Sequence, residues 1–434
     1  MTRKESIYMK SGFISFLGIL TVLLSSLPFS TTASDRFPNP AAPDFPIAAW
    51  KAFPLDVIPT DRDFNWVKEA GINIVSQTVN DTALMPVILD LTDRHGLKMV
   101  FRSDYLSNVR PLPSIVKRLK GHHALLGYYI HDEPEQTYED FQFCIDRDSI
   151  IKSIDPSVLR YINLWAHDNE HAPDYTEYID DFVKAVRPQI ISTDIYPIRG
   201  NNSIGYHEYE PQYQTTLEIL YKKSKQYNLP WMICCQATAL PDFKYPDYIY
   251  MRYQAFRALA YGAQAICWWT YNHPNRDYNR FLSSPIVNGE RTTIWYDLKK
   301  INQEIQRYKE VFLDCKIVGV ALVDTVTSSS SSYKVSRINT SPLYASLANN
   351  KNLEIYWKDG NTVYTKGYLI SQIRNNGHEY LVIVSQDWEE SQTLLLKTQG
   401  EYVIMNPDGS EINVLKTYSY QKIPAAGYLI LRLH

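Results

Sequence analysis

Four residues that follow one apolar run are the first candidates for chemistry. The run Leu125–Ile130 is followed at once by His131, Asp132, Glu133 and Pro134. Proline donates no ladder hydrogen bond and favours extended geometry in the residue before it, so Glu133 is predicted to end a strand and to be exposed at its carboxyl end. A carboxyl group placed there can transfer a proton to a ligand. The alternative is an acidic turn in which Glu133 is a solvated cap.

Further polar residues end other predicted strands. Arg102 and Asp104 end the third strand, Asp194 and Tyr196 the sixth, and Gln236 the seventh. Unpaired burial of charge is costly, so such a set is expected to line a pocket that holds something polar. Each also has a structural explanation: Asp104 can cap a segment, Asp194 can pair with Arg102, and Gln236 can satisfy backbone groups.

The alternation of side chains along a strand predicts directions around Glu133. If Glu133 faces the inside of the sheet, Tyr129 and His131 do so too, whereas Ile130 faces outward. Asp132 then points away from Glu133, unless a bulge at the strand end turns it back.

Aromatic residues accompany these polar groups. Trp268 and Trp269 close the eighth predicted strand, and Trp165 with His167 closes the fifth. Aromatic residues make up 13% of the chain, which is high and suits stacking on sugar rings. The rings can also simply plug the top of a barrel. Beside carboxylates, we favour a sugar-stacking platform.

The elements that must position these residues alternate regularly. Eight apolar runs predict strands at Ile47–Phe53, Ile72–Gln77, Leu97–Arg102, Leu125–Ile130, Leu159–Trp165, Gln189–Ile195, Trp231–Gln236 and Ala265–Thr270. Helical patterns lie between and after them, at Asp61–Ala70, Leu84–His95, Leu112–Lys120, Tyr138–Ile154, Asp174–Val186, Pro211–Gln226, Tyr248–Tyr261 and Trp295–Val311. Eight such units predict an α/β fold, a (β/α)8 TIM barrel over residues 36–314, whose catalytic side chains gather at the carboxyl ends of the strands. A doubly wound open sheet is the alternative, but no Gly-rich phosphate loop follows the first strand.

Residues 315–434 follow a different pattern. A Ser-rich stretch, Thr325–Tyr333, precedes short strand patterns separated by turn signals such as Asn406-Pro-Asp-Gly409. The strands are predicted at Tyr368–Ile373, Tyr380–Ser385, Thr393–Lys397, Tyr402–Met405 and Tyr428–Leu433. This pattern predicts a small antiparallel β-sandwich domain. It contains no evident acid/base cluster, so we expect it to pack against the barrel, with sugar binding as a minor alternative.

The first 33 residues have the features of a signal peptide. Arg3, Lys4 and Lys10 precede an apolar stretch, and small residues offer a cleavage site after Ala33. A membrane anchor is the alternative, but the apolar core Phe13–Leu24 is shorter than the roughly 20 residues that span a bilayer. We therefore expect export to the periplasm or cell exterior, without membrane insertion after cleavage.

Charge and cysteine content exclude several classes of protein. The net charge is −3 and there is no basic run, so a nucleic-acid partner is not expected. The five cysteines fit neither a disulfide framework nor a zinc site, and we interpret them as buried small hydrophobes. No metal motif or cofactor fingerprint is present, so neither a metal nor a cofactor is expected. The oligomeric state is left open.

With these elements in place, the chain resembles the clan A barrel glycoside hydrolases, including the family 42-like β-galactosidases. Asp132-Glu133-Pro134 resembles the Asn-Glu-Pro that holds the acid/base glutamate of that group. Tyr261–Tyr271 resembles their eighth strand with its aromatic end, and Gly400–Leu433 is similar to their small C-terminal β-sandwich. The resemblance implies hydrolysis of O-glycosidic bonds in a poly- or oligosaccharide, with Glu133 as general acid.

Two positions depart from that family. Asp132 replaces the usual Asn, and Gln236 stands where the family has its nucleophilic glutamate at the end of strand seven. An amide cannot act as a carboxylate nucleophile. Asp194 is therefore our candidate second carboxylate, acting as a base on water in an inverting mechanism with the carboxyl groups about 6.5–9.5 Å apart.

The other rim residues are predicted to bind substrate: Asp132, Arg102, Asp104, Tyr196, Gln236, Trp165, His167, Trp268 and Trp269. Arg102 indicates an acidic sugar, because a guanidinium pairs bidentately with a carboxylate, unless it pairs with Asp104. The main alternative function is a catalytically inactive barrel that binds glycans, with Gln236 as the trace of lost chemistry. A lyase or a transglycosylase is a further alternative.

Overall fold

Eight parallel strands form a closed barrel. The computed structural model describes residues 44–167, 171–201, 205–208, 212–274, 280–323, 353–357, 367–398, 401–414 and 418–433. The barrel strands are β1 (Ile47–Trp50), β2 (Ile74–Thr78), β3 (Lys98–Arg102), β4 (Leu125–Asp132), β5 (Leu159–Asn163), β6 (Ile191–Asp194), β9 (Trp231–Gln236) and β10 (Ala265–Trp269). They are ordered β5-β4-β3-β2-β1-β10-β9-β6, and a parallel bridge between Leu164 and Thr193 joins the two ends. The predicted barrel and its eight strands are confirmed.

Helices alternate with the barrel strands, and their bounds lie close to the predicted ones. They are α1 (Asp61–Glu69), α2 (Leu84–Arg94), α3 (Leu112–Leu119), α4 (Tyr138–Ile154), α5 (Tyr175–Val186), α6 (Gln212–Tyr227), α7 (Tyr248–Ala260), α8 (Thr293–Arg307) and α9 (Lys309–Phe312). Side-chain caps define several starts: Thr60 accepts from the Asp63 amide, and Thr137 accepts from the Asp140 amide. The predicted helix Trp295–Val311 is divided, because α8 ends at Arg307 and α9 begins at Lys309.

Strand β4 is the irregular member of the barrel. It is eight residues long, whereas β3 and β5 have five each. Its register shifts against β3 before Gly127 and against β5 between Tyr129 and His131. A Cβ at Gly127 would lie 2.0 Å from the carbonyl oxygen of Leu159, so only glycine allows this close approach of the two strands. The two bulges reset which side chains of β4 face inward.

Apolar residues form two layers around the strands. The larger layer fills the space between strands and helices, and includes Tyr128, Ile130 and Trp268. The smaller layer fills the barrel interior, and includes Trp50 and Tyr129. The site described below lies above this interior layer, at the carboxyl ends of the strands.

Beyond the barrel the chain forms antiparallel sheets, as predicted for an all-β region. One sheet has the order β13 (Lys316–Val323), β15 (Tyr368–Asn375), β16 (His378–Ser385), β21 (Tyr428–Leu433), β18 (Tyr402–Met405) and β19 (Glu411–Val414). The other has the order β14 (Leu353–Trp357), β17 (Gln392–Thr398) and β20 (Tyr418–Ile423). Strands β13, β14, β19 and β20 were not predicted. The predicted signal peptide and the Ser-rich stretch Thr325–Tyr333 lie outside the described residues.

The β region packs on α7 and α8. Phe256 of α7 stacks on Tyr428 of β21 with ring centroids 3.7 Å apart. The Tyr428 hydroxyl donates to the buried carboxylate of Glu304 at 3.0 Å, and Arg252 Nε donates to the carbonyl of Ala426 at 3.1 Å. These contacts make the region a support for the barrel helices. None of the helices in the described ranges combines the length and apolar content needed to cross a bilayer.

Candidate active site

A cleft of about 570 Å³ opens at the carboxyl ends of the barrel strands. This is a volume typical of small-molecule sites. Carboxylates, cations and aromatic rings all line it, and its lining residues are Trp50, Lys51, Arg102, Asp132, Glu133, Asn163, Asp194, Tyr196, Cys234, Leu240, Pro241, Asp242, Phe243, Trp269, Arg280 and Phe281. Six of the residues predicted from sequence are among them: Glu133, Asp194, Asp132, Arg102, Tyr196 and Trp269.

Glu133 is held at the cleft by a left-handed backbone. Its φ is 52°, so the expectation that Pro134 keeps Glu133 extended is wrong. Its amide still donates to the carbonyl of Asn163 at 2.8 Å, which ties it to β5. The Pro134 carbonyl accepts from the Tyr178 hydroxyl at 2.6 Å, which fixes the chain beyond it. A left-handed glutamate costs about 1–3 kcal/mol and persists where the surroundings impose it, often at functional sites.

The bulge in β4 reverses two predicted directions. His131 does not face inward with Glu133. Its ring packs on Phe143 of α4 at 4.7 Å, and burial lowers its pKa. Asp132 faces the cleft instead, where it accepts from the Tyr129 hydroxyl and from Arg102 Nη1 at 3.2 Å. The extra residue in β4 therefore places two consecutive carboxylates, Asp132 and Glu133, on the same cleft.

Asp194 is positioned by a chain of hydrogen bonds that runs through Asn163. Asn163 Nδ2 donates to Asp194 Oδ1 at 2.8 Å, while Asn163 Oδ1 accepts from the Ser192 hydroxyl at 2.9 Å. The Ser192 bond fixes which end of the amide faces Asp194. Burial raises the pKa of Asp194, against the opposing effect of hydrogen bonds from Asn163 and Tyr196. The carboxylate therefore has two oriented partners and an increased affinity for protons.

Aromatic rings form one wall of the cleft. Tyr196 stacks on Trp269 with centroids 5.4 Å apart and meets Phe243 edge-on at 5.9 Å. Phe281 lies 5.8 Å from Trp269. Trp50 reaches the cleft from below, edge-on to Tyr129 at 4.6 Å. Such faces can stack on a sugar ring.

Loops contribute the lining residues that the sequence did not predict. The hairpin of β7 (Ile198–Asn201) and β8 (Gly205–Glu208) follows β6 and pairs with the loop after β9. Gly200 N donates to the Asp242 carbonyl at 3.0 Å, and Lys244 N donates to the Ile198 carbonyl at 3.0 Å. This pairing brings Asp242 and Phe243 to the cleft. A second hairpin, β11 (Ile286–Val287) with β12 (Glu290–Arg291), follows the segment of Arg280 and Phe281.

Gln236 and Trp268 do not line the cleft, contrary to prediction. Gln236 is fully buried, and its Nε2 donates to the carbonyls of Thr238 and Lys244 while its Oε1 accepts from Tyr250 of α7. It thus has the backbone-satisfying role considered as its structural alternative. Trp268 faces the helices and donates to Asn302 Oδ1 at 2.7 Å.

Three further predicted residues are not among those that line the cleft. Asp104 is exposed and accepts from Asn80 Nδ2 at 2.9 Å. Trp165 stacks on His171 with centroids 3.9 Å apart, and His167 stacks on Tyr175 at 5.7 Å. Within the described ranges, no group of three or more His, Cys, Asp or Glu side chains is arranged to hold a metal ion.

No family model and no curated protein matches the sequence. Among solved structures, the chain is similar to a β-galactosidase from the psychrophilic Marinomonas ef1, with 8% identity and a TM-score of 0.49 over 90% of this chain and 100% of that one. It is also similar to a β-L-arabinopyranosidase from Geobacillus stearothermophilus, with 9% identity and a TM-score of 0.48 over 90% of this chain and 96% of that one.

A β-galactosidase from Halorubrum lacusprofundi shares 12% identity with a TM-score of 0.43 over 60% of this chain. The match spans 58% of that enzyme's own length. At these identities and TM-scores, the similarities carry no argument about the function of this chain. The barrel followed by a β region, which the family resemblance implied, is the observed architecture.

We expect Glu133→Gly to separate stability from function. Glycine adopts a φ of 52° without steric cost. The free energy of unfolding should therefore stay unchanged or increase by up to about 1 kcal/mol, and the melting temperature should not fall. Thermal unfolding would measure this. As control, Glu139→Gly, at an exposed helical position of α4, should lower the free energy of unfolding by about 1 kcal/mol. A clear loss of stability in Glu133→Gly would show that its conformation is not strained.

We expect Asp194→Asn to stabilise the protein in a pH-dependent way. Because burial raises the folded-state pKa of Asp194 above its ordinary value of 3.8, the natural chain loses stability as the pH rises through the window between the two values. The asparagine variant has no such loss. Its advantage in melting temperature should therefore grow as the pH rises above 3.8. Asp146→Asn, at an exposed position of α4, is the control for the loss of one carboxylate. An advantage independent of pH would contradict the raised pKa.

Proposed function

We propose that the protein is an exported glycoside hydrolase that cleaves O-glycosidic bonds in a poly- or oligosaccharide. One observation carries the proposal: Glu133 and Asp194 line the same sugar-sized cleft, beside a wall of stacked aromatic rings. Paired carboxylates are the groups that glycoside hydrolysis requires. Export rests on the N-terminal sequence alone.

Glu133 would act as the general acid. It protonates the leaving glycosidic oxygen while the sugar develops oxocarbenium character. The Tyr178 and Asn163 contacts described above hold its backbone, so its carboxyl group is presented by a rigid strand end. Neighbouring Asp132 is already engaged by Tyr129 and Arg102, which suits it to accept hydrogen bonds from substrate hydroxyls rather than to transfer a proton.

Asp194 would act as the base. Its two donors favour the ionised form, and burial increases its basicity, so it can take a proton from water. The nucleophile position of the resembled family is closed to this role, because Gln236 is buried and fully hydrogen-bonded. We therefore infer an inverting reaction, in which water attacks the face of the sugar opposite to the leaving group.

Three carboxamide variants test the assignment of the acid. Glu133→Gln should lose about 10²- to 10⁴-fold in kcat on an active substrate. Asp132→Asn should mainly raise KM. Glu135→Gln is the matched control, since Glu135 pairs with His171 at 3.1 Å outside the cleft lining, and its kcat should change little. If a folded Glu135→Gln is inactive while Glu133→Gln turns over, the assignment is wrong.

The stereochemistry of the first product tests the base. Proton NMR of a reaction in progress should show the inverted anomer before mutarotation, because water is the direct nucleophile. Asp194→Asn should lose activity without a change in stereochemistry of any residual product. Retention of configuration would indicate a covalent intermediate and would exclude Asp194 as a base of this kind.

The rival function, a catalytically inactive glycan-binding barrel, is an outcome of the same screen. Its support is that the end of β9 places no carboxylate in the cleft. Binding without turnover, on a broad panel of plant and host glycans, would establish it. Product release that disappears in Glu133→Gln would exclude it.

A further inference from the structure

Asn163 contacts both members of the candidate catalytic pair. Its main-chain carbonyl accepts from the Glu133 amide at 2.8 Å, and its side-chain Nδ2 donates to Asp194 Oδ1 at 2.8 Å. Asn163 ends β5, which pairs with β4 on one side and meets β6 at the closure of the barrel on the other. It lines the cleft, although only 4% of the residue is exposed. One residue therefore binds the candidate acid through its backbone and the candidate base through its amide.

Three buried groups surround the oxygen end of this amide. The Ser192 hydroxyl donates to Asn163 Oδ1 at 2.9 Å. The Tyr161 hydroxyl lies 3.4 Å from the same oxygen, and the Cys234 thiol lies 3.9 Å from it. The Tyr161 hydroxyl also contacts Ser192 Oγ at 3.0 Å, so the two hydroxyls form one layer beneath the amide. All three side chains are buried, which leaves Oδ1 with protein donors only.

The orientation of the amide determines which atom faces Asp194. With Oδ1 bound by Ser192, the amide presents its N–H group to the carboxylate, and a hydrogen bond to a charged acceptor is stronger than a neutral one. Turned over, the amide would present its oxygen, and an amide oxygen beside a carboxylate places two acceptors against each other. Ser192 therefore acts on Asp194 indirectly, through the orientation of Asn163.

Asn163 is one of two donors that favour the ionised form of Asp194. Burial raises the pKa of Asp194, and the hydrogen bonds from Asn163 and Tyr196 oppose that rise. The negative charge of Asp132, on β4, raises the pKa further. Loss of the Asn163 donor would leave burial and Asp132 opposed by Tyr196 and the backbone.

Two further titratable groups face Asp194 from neighbouring elements, and both are neutral. Cys234 belongs to β9, and contact with the Cys267 thiol together with burial raises its pKa. Tyr175 belongs to α5, and burial raises its pKa. Neither supplies a charge that could replace the donor of Asn163.

We propose that Asn163 is a positioning residue of this site, and that Ser192 is a second positioning residue that acts through it. The Asn163 amide orients the Asp194 carboxylate and its main chain binds Glu133, so the two carboxyl groups keep a fixed relation at the cleft. The part of this pair in bond cleavage rests on the proposed function. The effect of Asn163 on Asp194 does not, and it is measurable in a protein that turns over no substrate.

The ionisation of Asp194 in the folded chain tests the proposal without turnover. The free energy of unfolding is measured against pH for the full chain and for Asp194→Asn, and their difference grows from pH 3.8 upward until the folded Asp194 is ionised. The pH at which this difference reaches its plateau marks that ionisation. In chains that carry Asn163→Ala or Ser192→Ala, the plateau should be reached about 1 to 2 pH units higher, because the ionised carboxylate has lost a donor.

A double variant and a neighbouring hydroxyl separate the indirect role of Ser192 from a general loss of packing. Because Ser192 acts through the amide, Ser192→Ala should add no further shift to a chain that already carries Asn163→Ala. Thr193→Val is the matched control, since Thr193 is equally buried on β6 but donates to the carbonyls of Leu164 and Trp165. It should lower stability at every pH and leave the plateau in place. If Asn163→Ala does not fold, the comparison of Ser192→Ala with Thr193→Val still decides the matter.

On an active substrate, the acidic limb of the pH profile of kcat/KM should move by the same amount, because that limb reports the base. An unmoved plateau, or an equal movement in Thr193→Val, would overturn the proposal. Additive shifts in the double variant would overturn the role of Ser192. Turnover whose acidic limb is unchanged in Asn163→Ala would overturn the positioning role and leave the hydrolase intact. A moved plateau without turnover of any glycan would uphold the effect of Asn163 on Asp194 and refute the hydrolase, so the two proposals fail separately.

Discussion

The irregular pairing of β4 is the constraint on which the candidate site depends. A strand of eight residues lies between neighbours of five, so the surplus is taken up in two bulges. Gly127 follows the first bulge, and its missing Cβ lets β4 approach Leu159 of β5 on the other side. The second turns His131 to the helices and Asp132 to the cleft. A regular strand would have reversed these two residues.

The site also holds its functional groups at a cost to stability. Glu133 and Lys51 adopt left-handed backbones, and Asp194 is half-buried at the mouth of the barrel. Each feature is imposed by neighbours: Asn163 holds both the amide of Glu133 and the carboxylate of Asp194. Asn163 thus connects the candidate acid with the candidate base. Its own amide is oriented by Ser192, so the relation between the two carboxyl groups is built into β5 and β6.

The seventh barrel strand, β9, contributes structure rather than a catalytic carboxylate to the candidate site. Gln236 satisfies two backbone carbonyls and a tyrosine hydroxyl, which fixes the loop after β9. That loop then pairs with the β7–β8 hairpin and brings Asp242 and Phe243 to the cleft. The strand therefore supplies structure at its end and lining residues through its loop. The second carboxylate of the proposed mechanism comes from β6 instead.

The sequence by itself determined the barrel. Its apolar runs have the length of strands buried on both faces, and this signal is local, so all eight strands were predicted along with the helices between them. It also determined that Arg102 and Asp194 end strands and that Glu133 and Tyr196 closely follow strand ends, since a polar residue after an apolar run is visible without any knowledge of neighbours. Those residues meet in one cleft because parallel strands bring their carboxyl ends together.

Only the tertiary structure decided which way several of these residues point. Bulges depend on register against neighbouring strands, so the inward turn of Asp132 and the outward turn of His131 were not determined by alternation alone. The buried position of Gln236 depended on Tyr250 of the following helix, whose hydroxyl donates to Gln236 Oε1. Lys51 and Arg102 are distant in sequence, and they line one cleft only because the sheet closes into a barrel.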